Sequence, residues 1–462
     1  MNASLNSTGH HKAGLRDSLS SFRNMLAVIF LFTACSDISA TKPPVLVRAV
    51  DGELAFPGAV GFGAASKGGR GGKIISVTTL SDSGVGSLRE CIDATGPRVC
   101  VFRVAGVIRY TAKPPIVRNP YLTIAGQTAP GGGITLAHSG GENGYTPLII
   151  KNTHDVIVRH IRVRPDRNGM DREAEDAFTI ENSTNVILDH VSGSWARDEV
   201  VNAYGDNDKI TISYSIFAQG IPRHDKCALL GSDPSGPQNL SFIGNICAHN
   251  GDRNPDINFA PGSCVEIINN LLYNAQSQFA EVWESYGGSP VAIVGNVFRK
   301  GPNTADHAVG IDLERIGSTG RAQIYHYDNR FDGHFVHRTP LLDEVSVEQS
   351  ICPLTLQPVP ADTAYANALA ASGAFPRDAF DFMIIDQIKS QTGKIVKMAG
   401  KLAPIAKAQG YPDQDGDGMD DKWEAGNGAN PGKSDSWEID ATSGLAYFDA
   451  FLDYRHKMLL GG

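Results

Sequence analysis

The feature that most narrows what this chain can fold into is an irregular repeat of short alternating segments. They begin at Leu122 (LTIAG), Val156 (VIVRHIRVR), Val186 (VILDHVSGS), Ile210 (ITISYSIF), Leu240 (LSFIGNICAHN), Val265 (VEIINNLLYN), Val291 (VAIVGNVF) and Ile324 (IYHYDNRF). Successive starts lie 34, 30, 24, 30, 25, 26 and 33 residues apart. Within each segment apolar and polar residues alternate with period two, and each runs into Gly, Asn, Asp or Pro. A solenoid tolerates constant strands at variable intervals, because each coil must keep its inward residues while its loops grow freely. An antiparallel sandwich would need hairpin signals between paired runs, and few are present. A parallel solenoid is therefore expected. Asn245, Asn270 and Asn296, each about five residues into its segment, predict an asparagine ladder at one turn.

The flanks read differently. Residues 61–72 are glycine-rich, and 86–92 (GSLRECI) form a short amphipathic helix that would cap one open end of the solenoid. After about residue 340, segments 361–371 and 376–390 are helical by composition and are expected to cover the other end. At the N-terminus, Lys12, Arg16 and Arg23 precede an apolar run over 25–32 and the small residues Thr33 and Ala34. That pattern is an export signal, too short to span a bilayer. Phe32-Thr33-Ala34-Cys35 also weakly resembles a lipoprotein box, which would anchor the chain through Cys35. The expected organisation is an export signal over 1–40, the solenoid over 41–340, a helical cap over 341–408 and an extension over 409–462. The expected product is a secreted monomer.

Six cysteines follow the signal region: Cys91, Cys100, Cys227, Cys247, Cys264 and Cys352. An even number in an exported chain permits disulfides. Cys91 and Cys100 flank a short turn and are the leading pair, whereas the other four suit bridges or buried thiols equally. The net charge of −9 argues against a nucleic-acid partner. It would also repel a polyanion unless local cations or a metal intervened.

The extension contains Asp413-Gln-Asp-Gly-Asp-Gly-Met-Asp-Asp-Lys-Trp-Glu424, a complete match to the calcium-loop pattern. Asp413, Asp415, Asp417, Asp421 and Glu424 offer carboxylates, Met419 its carbonyl, and Gly418 the sharp turn. Gly410 and Pro412 interrupt any preceding helix, so this is a lone loop with a structural role. Within the coils, Asp176, Asp198, Lys226 and Arg253 fall at comparable places and can converge on one groove. Paired carboxylates there suit a hard divalent cation, and the adjacent Lys and Arg suit an anionic sugar.

The run from Phe56 (FPGAVGFG, then GGRGGKIISVTTLSDSGVGSLRE), with LTIAGQTAPGGGITL, VILDHVSGSW and GDRNP, resembles the pectate lyase family over roughly residues 55 to 335. The resemblance implies a right-handed single-stranded parallel β-helix, all-β, acting on polygalacturonate with Ca2+. It implies that Asp176, Asp198 and Asn202 hold calcium, that Lys226 binds substrate carboxylate, that Pro255 and Asn258 are further substrate-binding residues, and that Arg253 of the Arg-x-Pro motif removes the proton. The family's second arginine corresponds to Asn258, and a further family aspartate to Ala174, flanked by Glu173 and Glu175. Asp189 and His190 read as a structural turn. Trp195, Trp283 and Tyr286 suit either sugar stacking or packing. The implied reaction is β-elimination, with an alkaline optimum. A calcium-independent pectin lyase and a non-catalytic β-helix surface protein are the alternatives.

Overall fold

The computed structural model describes residues 45–49, 52–138, 145–166 and 175–461. The stretch read as an export signal, with Cys35, lies outside them, as do Glu173 and Ala174. The described strands form three parallel sheets of 10, 9 and 9 strands. The chain visits the three in turn, making a right-handed parallel β-helix of about 9 turns.

In the first sheet the eight segment starts stand in one register. Leu122 pairs with Val156, Val156 with Val186, and so on through Ile210, Leu240, Val265, Val291 and Ile324. All eight are buried in the central core. Each contributes about 1.5–3 kcal/mol of apolar burial. Two earlier coils, Lys73–Val77 and Arg98–Phe102, extend the sheet upstream. Their signal is weak in the sequence because Arg98 occupies the ladder position opposite Leu122. That arginine is fully buried. Its guanidinium donates to the carbonyls of Cys91 and Ile92 in the capping helix Leu88–Asp93.

The asparagine ladder forms as expected. Asn245 N–H donates to Asn270 Oδ1 at 2.8 Å, and Asn270 N–H to Asn296 Oδ1 at 2.9 Å. Ser215 continues it upstream and Asn329 downstream. Each of the three amides also donates to a strand carbonyl, of Ile212, Phe242 and Ile267 respectively. Three disulfides bridge Cys91–Cys100, Cys227–Cys247 and Cys264–Cys352.

The outer faces are covered unequally. The glycine-rich strap crosses the first sheet and donates backbone N–H groups to its side chains: Gly69 to Thr123, Lys67 to Asp155 and Gly63 to Thr211. A Cβ on Gly69 would meet the Arg98 carbonyl oxygen at 1.9 Å, so only glycine lets the strap lie this close. The predicted helices form as Ala361–Ala371 and Ala379–Ser390. They do not cap the end of the solenoid. Ala361, Ala368, Ile384, Ile385 and Ile388 pack along the third sheet, on Ile216, Ile246, Leu271 and Val297. The open end is closed by the 3-10 turn Pro340–Glu344, whose Leu342, with Val345, joins the central core. The physical reason is the outward row of apolar residues on the third sheet, which needs a lateral cover. Residues 44–462 form one compact unit, so the extension is a further layer rather than a separate body.

Replacing Asn270 with Ala strands the Asn245 N–H in a dry interior. Urea unfolding is expected to show a loss of about 1–3 kcal/mol.

Candidate active site

The second sheet carries an outward row that is polar except at Leu229. Thr179, Asn202, Leu229, Asp256, Glu281 and Asp312 follow one another in register. Its strands Phe178–Glu181, Glu199–Tyr204, Lys226–Leu230 and Asp256–Ile257 are consecutive neighbours. The charged residues expected from sequence collect where these strands begin. Asp176 lies two residues before the first, Asp198 immediately before the second, Lys226 opens the third, and Arg253 lies three residues before the fourth. Coil stacking thus unites residues spread over 78 positions, from Asp176 to Arg253.

Ligand oxygens of Asp176, Asp198 and Glu199 lie within 4.8 Å of one another. Asp176 Oδ1 accepts the Glu199 N–H at 3.2 Å, and its Oδ2 accepts the Thr179 hydroxyl at 2.5 Å. Asn202 donates to Asp176. The Asn202 Oδ1 is buried with no hydrogen-bond partner, an acceptor left for a cation. Burial first, and the neighbouring carboxylates next, push Glu199 well above the usual carboxylate range. Burial pushes Asp176 the same way, against the hydrogen bond from Thr179. Three hard oxygen donors with an orphaned amide oxygen fit a calcium-class ion.

Arg253 stands against this group. Its guanidinium pairs with Glu199, and its Nε lies 3.4 Å from Asp256 Oδ2. Its backbone N–H donates to Glu281 Oε1 at 2.8 Å. Burial works against the charged guanidinium, yet Glu199 and Asp256 together hold it above the ordinary arginine value. Lys226 pairs with Asp252.

Other expected residues fall less centrally. Pro255 follows Arg253 through a cis Asn254–Pro255 bond, and its carbonyl accepts from Glu281 N–H at 2.9 Å. Asn258 exchanges hydrogen bonds with Ser285, at 3.0 and 3.2 Å, and is in no bond with the acidic group. Asp189 accepts from Arg159, Ser213 and His190 in the interior, the structural role expected of it. Trp195 is a packing residue, buried edge-on to Phe380 beneath the flanking helix.

Glu199 was not among the residues selected from sequence. Period-two alternation groups it with Val201 and Ala203, which face the core. Val200 is in the core as well, so alternation fails at the start of this strand and Glu199 is freed to face Arg253. The adjacent acid, Asp198, was the available signal.

Comparison with known proteins settles the family. The family model described as pectate lyase matches residues 58–309. The chain belongs to the pectate lyase family. It is 34% identical over 412 residues to a protein of Aspergillus flavus named probable pectate lyase C, covering 86% of this chain and 93% of that one. A protein of the same name from Emericella nidulans is 34% identical over 429 residues, covering 88% and 94%. Among solved structures, the cedar pollen allergen jun a 1 superposes with a TM-score of 0.54 at 19% identity, over 68% of this chain and 92% of that one. The thermostable pectate lyase PL 47 gives 0.51 at 17%, over 70% and 98%. These two likenesses establish the shared β-helix fold.

The buried acids set a pH dependence. Raised carboxylates stabilise the fold below the usual range of free Asp and Glu, and that contribution is lost as pH climbs through their folded values. These run from about 7 for Asp256 to about 9 for Glu199. In chelating buffer the thermal midpoint is therefore expected to fall as pH rises from the free-carboxylate range and to level off once those folded values are passed. Added calcium should flatten the decline, since a bound cation favours the ionised acids.

Proposed function

We propose that the protein cleaves α-1,4-linked polygalacturonate by calcium-assisted β-elimination, leaving 4,5-unsaturated oligogalacturonates. The observation that carries this reading is the placement of Arg253 against Glu199, a carboxylate that also belongs to the acidic group with Asp176 and Asp198.

The chemistry explains the arrangement. The C5 proton of a galacturonate lies next to a carboxylate, so removing it places a second negative charge on an already anionic group. Asp176, Asp198, Glu199 and Asn202 would hold the calcium ion, which when bound supplies positive charge to the substrate carboxylate. Lys226, on the neighbouring strand and in register with Glu199, offers a further cation to the same carboxylate. Arg253 is the base that takes the C5 proton, and the C4 oxygen then departs.

Glu199 links the two tasks. In the ion pair it holds Arg253 charged. Once its charge is shared with a cation, less remains to keep the guanidinium protonated. Proton removal by a group of such high pKa favours alkaline conditions.

The acidic group argues against a calcium-independent pectin lyase, since neutral esters need no cation bridge. Arg253 beside that group is a costly feature for a merely adhesive surface. The export pattern over the first 40 residues supports secretion, with Cys35 anchoring as the variant form. No described helix is long and apolar enough to cross a membrane. Nothing in the reaction requires more than one copy, and we take the enzyme to be a monomer.

Unsaturated product is followed by near-ultraviolet absorbance on polygalacturonate. Chelator is expected to abolish turnover and calcium to restore it, and undiminished turnover in chelator would overturn the reading. Arg253→Ala should lower kcat by about 10²–10⁴-fold, with circular dichroism unchanged.

A further inference from the structure

The structure assigns a second cation site, separate from the groove, in which Asp435 completes the C-terminal loop from outside its twelve residues. Sequence reasoning supplied the loop but neither this ligand nor its consequence. Ligand oxygens of Asp413, Asp415 and Asp417 lie within 4.8 Å of one another, and so do those of Asp417, Glu424 and Asp435. Asp417 belongs to both sets and joins them.

The decisive observation is Glu424. Its side chain is fully buried, and neither carboxylate oxygen has a hydrogen-bond partner. Asp413 Oδ1, Asp415 Oδ2 and Asp435 Oδ1 are likewise buried and unpartnered. Buried acids are normally paired or bound to metal, because an unpartnered buried charge has lost its hydration with nothing in exchange. The one cation paired with these carboxylates among the described residues is Arg103, whose Nη1 lies 3.5 Å from Asp413 Oδ2. One arginine does not balance five acids. The donors are all carboxylate oxygens, with no thiolate or imidazole, which selects a hard ion of the calcium class over zinc or copper.

Asp421, expected in the set from the loop pattern, instead accepts the Gln414 N–H at 2.8 Å and is in neither group. Asp435 takes its place in the charge count. It is brought in by a turn in which the N–H groups of Asp435 and Ser436 both donate to Asp417 Oδ2, at 3.2 and 3.1 Å.

The consequence is a fastening. Met419 and Trp423 of the loop pack with Phe448 and Phe451 of the helix Tyr447–Leu460 against Val99 and Val101 on the outer face of the first sheet. Trp437, two residues after Asp435, donates to the Gly72 carbonyl at 2.9 Å. A cation held by Asp417, Glu424 and Asp435 therefore clasps the C-terminal segment onto the first coils, and it shares no ligand with the acidic group beside Arg253.

The test uses the full chain in an Asp198→Asn background, which removes a groove ligand. Calcium, but not equimolar magnesium, is expected to raise the thermal midpoint by several degrees. Terbium luminescence excited through tryptophan should report the same site, because Trp423 lies in the loop. Adding Asp435→Asn should raise the calcium and terbium concentrations at half-effect (the calcium and terbium midpoints) by at least about tenfold, whereas Asp421→Asn should shift them less than about twofold. Glu424→Gln is the second variant if Asp435→Asn does not fold, with the same loss expected. Asp435→Asn alone should keep wild-type turnover at saturating calcium. An unchanged calcium midpoint in Asp435→Asn or in Glu424→Gln overturns the assignment, as does an absence of terbium signal.

Discussion

Each coil rests on the next through parallel backbone hydrogen bonds, and a slip of one residue in any coil would turn its buried row outward. Eight ladder residues from Leu122 to Ile324 obey this register without a break. The asparagine stack enforces it at the turn. Its amides bond along the ladder and also to the strand carbonyls, so a shifted coil would leave buried polar groups unpaired. Hydrophobic burial supplies the stabilisation and the asparagines supply the alignment.

The candidate site is a by-product of that alignment. Residues that share a register are brought side by side however long the intervening loops become. Asp176, Glu199, Lys226 and Arg253 come from four coils, yet they meet at the entrances of adjacent strands of one sheet. The other two sheets have their outer faces engaged by the strap and by the flanking helices. The second sheet keeps a polar face, and Asp176, Glu199, Asp256 and Glu281 along it are buried carboxylates whose pKa values burial raises.

Much of this was legible in the sequence. Period-two alternation located eight coils, and spaced asparagines located the ladder, because both patterns reflect the local backbone directly. The first two coils escaped notice because Arg98 occupies a position where an apolar residue is expected, and its many carbonyl partners are visible only in three dimensions. The Asp-rich loop was readable as a motif, whereas Asp435 was not, since it approaches from a separate turn. Asp176, Asp198, Lys226 and Arg253 stood out by their comparable places on successive coils, and the family resemblance supplied the role expected of each. Glu199 was missed because the strand-start bend breaks the alternation on which side-chain direction is read. The lateral placement of the two helices was equally hidden, since amphipathicity says that a face is buried but not against what.

The turn at Pro340–Glu344 has a bearing beyond packing. It seats Leu342 on the last coil and pairs Ile324 with Val345 and Ser346. Without it the final strands would offer a row of free donors and acceptors above an oily disc. The helix Leu88–Asp93 closes the opposite pole. Plugged at both poles, the coil has its apolar core covered where copies would otherwise stack end to end, although every internal junction is of the kind from which fibres grow.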